Sequence, residues 1–113
     1  MPVKDLILVL NNSKIVKEVL FVDFDGVGDY YRLKMRVELK NSWILQIWEH
    51  KTPEIRRYAY HIFNNSSTII RWDNAPHHTD IKTFPHHKHV GDKIEESQEM
   101  DLFKVLKELE RMM

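Results

Sequence analysis

The sequence predicts an α+β fold: a single antiparallel β-meander whose sheet is packed by a C-terminal helix. Three observations carry this expectation. Tyr31 to Lys40 alternates strictly between apolar and polar residues, the two-residue period of a strand with one buried face. Further apolar runs follow at short spacing, joined by brief polar turns, which is how a meander reads. Near the end, Leu102, Leu106, Leu109 and Met113 recur at helical spacing, widened by Phe103 and Val105, with lysines and glutamates between them.

Taken in order, Pro2 to Asn12 carries the run Leu6-Ile7-Leu8-Val9-Leu10, which suits a short helix or a strand equally. Ile15 to Phe24 is dense in branched and aromatic residues and predicts a buried strand, stopped by a turn at Asp25-Gly26-Val27-Gly28-Asp29. The alternating strand Tyr31 to Lys40 puts Tyr31, Leu33, Met35, Val37 and Leu39 on one face. Arg32, Lys34 and Arg36 then form a row of cations on the other. Asn41-Ser42 turns into Trp43 to His50, Thr52-Pro53-Glu54 into Ile55 to Phe63, and Asn64 to Ser67 into Thr68 to Asp73. Ala75 to Pro85, with two prolines and no period, predicts an irregular loop. His86 to Val90 predicts a short returning strand, and Ser97 a helix N-cap.

The 113 residues suffice for one core, so a single domain over 1–113 is expected. No apolar run reaches the roughly 20 residues that span a bilayer, and the start lacks the pattern of a secretory signal. Without cysteine there are neither disulfides nor thiolate metal sites. The expectation is a cytoplasmic protein with no membrane partner. Net charge is zero, but it is unevenly spread. Tyr30 to His61 holds seven Lys/Arg against three Asp/Glu, and Asp92 to Met113 four against seven. The basic middle suits a polyanion.

The densest chemistry lies between Arg71 and His89. It reads Arg71-Trp72-Asp73-Asn74-Ala75-Pro76-His77-His78, then Thr83-Phe84-Pro85-His86-His87-Lys88-His89. Imidazole exchanges protons near neutrality. Asp73 can orient one ring, and Arg71 and Lys88 can hold a phosphate. A metal site is the second reading. His87 and His89 would share one face of a strand, with Asp73 or His77 as a third ligand. Upstream, Val19 to Val27 ends in Asp-x-Asp-Gly and resembles the first motif of haloacid-dehalogenase-type phosphatases. That fold needs parallel βαβ crossovers, whereas the residues that follow read as a meander.

Tyr31-Arg32-Leu33-Lys34, Tyr58-Ala59-Tyr60-His61, Arg71 to His78 and Thr83 to Gly91 together resemble the TumE family of toxin–antitoxin toxins. The resemblance covers roughly Tyr30 to the C-terminal helix and implies a small prokaryotic toxin paired with a helix-turn-helix antitoxin encoded beside it. Ribonuclease activity enters by analogy with toxins of this size. The expectation is therefore a toxin acting on RNA by acid/base cleavage without a metal or other cofactor. His87 and His89 would be the acid/base pair, oriented by Asp73, with Lys88 and Arg71 on the phosphate. Substrate binding falls to Arg32, Lys34, Arg36, Tyr60, Asn74, His77, His78 and His86. A homodimer is left open. The rival is a non-catalytic or metal-binding module whose histidine loop contacts a partner protein.

Overall fold

The computed structural model describes residues 3–113. Its elements are α1 (Val3–Asn11), β1 (Val16–Val27), β2 (Tyr30–Leu39), β3 (Ile44–Lys51), β4 (Arg56–Phe63), β5 (Thr68–Asp73), β6 (His87–Val90), β7 (Lys93–Glu96) and α2 (Leu102–Met112). The seven strands form one sheet in chain order, and each neighbouring pair is antiparallel. The meander is therefore complete, with β1 and β7 at its edges. The N-terminal segment Val3–Asn11 is a helix; Pro2, where that expectation began, lies outside the described residues.

One face of the sheet is covered. The alternation of β2 buries Tyr31, Leu33, Met35, Val37 and Leu39, and the register extends that layer through Leu45 and Ile47 of β3 to Tyr60 and Ile62 of β4. Leu6 and Leu10 of α1 and Leu102, Val105, Leu106 and Leu109 of α2 close the same cluster. Residues four or three apart on a helix share a side, so each helix presents one apolar stripe to the sheet. The opposite face carries Arg32, Lys34, Trp48 and Arg57 and has no covering layer among the described residues.

Several local expectations are corrected. The apolar run Ile15 to Phe24 is not a buried strand: β1 is the sheet edge, with Leu20 46%, Phe21 51% and Val27 85% exposed. A run without alternation gives apolar side chains to both faces, and here helices cover only one of them. The strand also passes through Asp25-Gly26 and turns only at Gly28-Asp29, giving a two-residue hairpin loop. Gly26 permits this, because a side chain there would collide with the backbone of Tyr30 and Tyr31. Asp101, not Ser97, caps α2: its Oδ1 accepts from the Lys104 N–H at 2.8 Å. Ser97 lies too far upstream, and its N–H instead donates to Thr83 Oγ1. The helix ends before Met113, which is exposed, as is Phe103.

The covered face holds a buried ion pair between Glu49 and Arg56. Glu49 Oε1 accepts from Arg56 at 2.8 Å and from the Tyr60 hydroxyl at 2.9 Å, while Oε2 accepts from the Tyr31 hydroxyl at 2.6 Å. Arg56 also donates to the Met100 carbonyl at 2.9 Å, tying the entry of α2 to the sheet. Burial alone would raise the Glu49 carboxyl. The Arg56 charge and the hydrogen bonds from Tyr31, Arg56 and Tyr60 outweigh it and hold the group below its ordinary value of 4.5. Burial in the same network pushes the Tyr31 and Tyr60 hydroxyls up.

Two outcomes follow from this pair. Arg56→Ala leaves a buried carboxylate unpaired and should cost about 3–5 kcal/mol in urea unfolding at neutral pH. Because the folded carboxyl titrates below the unfolded one, its stabilisation is present above pH 4.5 and is lost as pH falls through the folded value. Glu49→Gln should thus be less stable than the parent at neutral pH and show a shallower loss on acidification below 4.5, read from unfolding midpoints across pH.

Candidate functional site

Strand register brings the site together on the open face. Paired residues of antiparallel neighbours point the same way, so Lys34, Trp48, Ala59, Asp73 and His87 form one row across β2 to β6. Arg36, Gln46, His61, Arg71 and His89 form the next. Neighbouring strands lie about 4.8 Å apart, so Lys34 stands about 14 Å from Asp73 along its row. Ala59 is the smallest side chain of that row. Beside it opens a groove of about 490 Å³ lined by Trp48, Arg57, Arg71 and Asp73, with Ala75 and Pro76 of the loop.

Asp73 is the centre, 3% exposed. Its Oδ1 accepts from the Ala75 N–H at 3.0 Å and lies 2.9 Å from His87 Nε2. Its Oδ2 meets Arg71 Nε at 3.1 Å and His89 Nε2 at 3.2 Å. The two Nε2 atoms are 3.1 Å apart. On its far side, His87 Nδ1 lies 2.9 Å from the Pro85 carbonyl. A carbonyl only accepts, so Nδ1 carries a proton. His78 completes the cluster from the loop, its ring edge-on to His87 and His89 with centroids 4.8 and 5.7 Å away. His87 is buried and His89 half-buried, so His89 is the ring that meets solvent. Burial pushes the His89 imidazole below its ordinary value; Asp73 opposes this, while His87, Arg71 and His78 reinforce it. On the groove wall His61 is lowered as well, by burial and then by Arg71.

Asn74 acts as a clamp. Its Oδ1 accepts from the Tyr58 N–H at 2.9 Å, its Nδ2 donates to the Arg56 carbonyl at 2.7 Å, and its own carbonyl accepts from Arg57. The side chain thereby extends the pairing of β4 one step past the end of β5 and starts the loop in a fixed direction. Thr83 holds the other end, donating to the His86 carbonyl at 2.6 Å.

Among the residues expected to form the site, Asp73, His87, His89, Arg71 and His78 are brought together. Lys88 is not. Residues 87 and 89 share a face, so 88 takes the other; Lys88 pairs in register with the buried Trp72 and approaches Glu95 at 3.9 Å. Tyr60 and His86 also belong to the covered side, Tyr60 on Glu49 and His86 through Nδ1 on the Tyr58 hydroxyl at 2.8 Å. His77 is exposed on the loop. Arg32 and Arg36 are on the open face but bond to Asp25 and Gln46. Sequence reasoning missed Trp48 and Ala59 as groove residues. The signal was there, since Gln46, Trp48 and His50 alternate with Leu45, Ile47 and Glu49.

Residues 5–113 match the family described as Toxin TumE. No curated protein and no solved structure matches the chain. Among the described residues no helix is long and apolar enough to cross a membrane. With a match over nearly its whole length, the chain belongs to the TumE family of toxins.

Proposed function

We propose that this toxin acts on RNA, cleaving its phosphodiester backbone at the open face by acid/base chemistry without a metal. Membership of a toxin family implies an antitoxin partner. The fuller reading is a single toxin domain over residues 1–113, working in the cytoplasm and held in check by a helix-turn-helix antitoxin encoded nearby. The observation that carries the reading is the meeting of His87 and His89 on Asp73, which itself lines a groove bordered also by Arg71, Arg57 and Lys34.

RNA supplies its own nucleophile. A base takes the 2′-hydroxyl proton, the oxygen attacks the adjacent phosphorus, and the 5′-oxygen departs with a proton, leaving a 2′,3′-cyclic phosphate. His89 is the ring able to meet the substrate. His87, 3.1 Å behind it, is the buried member of the pair, and Asp73 fixes both. Arg71 stands where charge builds on the phosphorus oxygens. Arg57 and Lys34 follow the strand's phosphates, and Trp48 offers a ring for a base to stack on. Lys88 has no part in this arrangement.

Cleavage of a labelled RNA by the purified chain should give cyclic-phosphate ends. His89→Ala should lower the rate by about 10²–10⁴-fold, the usual worth of a positioned acid or base. Lys34→Glu should chiefly weaken binding and flatten its salt dependence. Expression of the chain alone should slow bacterial growth, and His89→Ala should relieve it. A folded His89→Ala protein as toxic and as active as the parent would remove the histidine pair from the chemistry. Absence of cleavage altogether would favour a surface that contacts a partner protein.

A further inference from the structure

The geometry points to a transition-metal site, zinc by preference, formed by His78, His87 and His89 against Asp73. One ring nitrogen from each of the three histidines lies within 4.8 Å of the other two. Three imidazoles beside a carboxylate are a donor set for zinc, with nickel, cobalt and copper as chemical neighbours, and not for magnesium or calcium. Sequence spacing had offered His77 as the third ligand; the loop turns His78 inward instead, its ring edge-on to both others.

Two details argue for a built site. First, His87 Nδ1 donates to the Pro85 carbonyl at 2.9 Å, which directs the lone pair of a neutral ring onto Nε2. Metal-binding histidines are oriented in this way by an acceptor behind the ring. Second, that lone pair points at Asp73 Oδ1, 2.9 Å away, and at His89 Nε2, 3.1 Å away. His87 Nε2, His89 Nε2 and the Asp73 carboxylate oxygens thus converge, with contacts of 2.9 to 3.2 Å between them. Tetrahedral zinc with bonds of about 2.05 Å needs its nitrogens about 3.3 Å apart. Two residues apart on β6, His87 and His89 already hold their Nε2 atoms 3.1 Å apart, so only the loop-borne His78 must move inward. Asp73 or a water takes the fourth position.

A metal ion here uses the lone pairs that the cleavage proposed above needs, so loading should silence the toxin. That consequence alone rests on the cleavage reading; the site itself does not. The test is zinc titration by calorimetry of the full chain, prepared without a histidine tag and stripped with chelator, followed by the absorption spectrum of cobalt-loaded protein. The expected result is one ion per chain and a four-coordinate cobalt spectrum. His78→Ala and His89→Ala, both at half-buried positions, should each weaken binding by at least about tenfold, and His50→Ala should leave it unchanged. Circular dichroism confirms that the variants are folded. No stoichiometric binding, or binding indifferent to both substitutions, overturns the site. Binding is read without RNA, so its failure and that of the cleavage reading are separate results. Zinc that activates cleavage keeps the site and overturns the metal-free chemistry.

Discussion

The open-face site depends on the burial of one carboxylate. Asp73 is almost wholly removed from water, and a polar group buried in that position needs partners for its oxygens. Arg71 comes from its own strand, the Ala75 N–H from the first turn of the loop, and His87 and His89 from the next strand. The two histidines are near enough only because Asp73 pairs with His87 and Arg71 with His89 across β5 and β6. The thirteen-residue connection 74–86 therefore has to leave and return in register. Asn74 and Thr83, which hold its two ends by hydrogen bonds, belong to the site's construction.

The two faces of the sheet have separate tasks. On the covered side, polar groups are consumed internally: Glu49, Arg56, Tyr31 and Tyr60 satisfy one another, and Tyr58 joins His86 to the Met100 backbone. Among the described residues no buried side-chain nitrogen or oxygen lacks a partner. That network fixes the α2 entry and gives the sheet a rigid back. On the open side Lys34 and Trp48 stay accessible, and the groove exists because Ala59 fills so little of it. A site on strands backed by a packed layer holds its geometry better than one carried by loops alone.

Much of this was legible in the sequence, for physical reasons that also mark where legibility ended. The alternation in β2 identified the sheet and its buried face, because period two has few other causes. The density of histidines around Asp73 pointed to the cluster that the strands assemble, and the same period placed His87 and His89 together. Consistent use of that rule would have excluded Lys88. Tyr60 and His86 looked like surface chemistry because tyrosine and histidine read the same whether they serve a core network or a ligand. β1 looked buried because composition does not say which strand is the edge. β7 is four residues of mostly charged sequence with no alternation strong enough to announce it. The choice of His78 over His77 depends on how the loop turns, which spacing alone does not encode.

The central claim is that Asp73, His87 and His89 act as one coupled unit, with His87 locked by the Pro85 carbonyl. The most direct measurement is a long-range proton–nitrogen NMR spectrum of the imidazole rings in metal-free protein, for the parent chain and His89→Ala. The account predicts a protonated, slowly exchanging His87 Nδ1 in both, and a clear shift of His87 Nε2 when His89 is removed. A His87 ring with a bare Nδ1, or ring signals unchanged by the substitution, would contradict it.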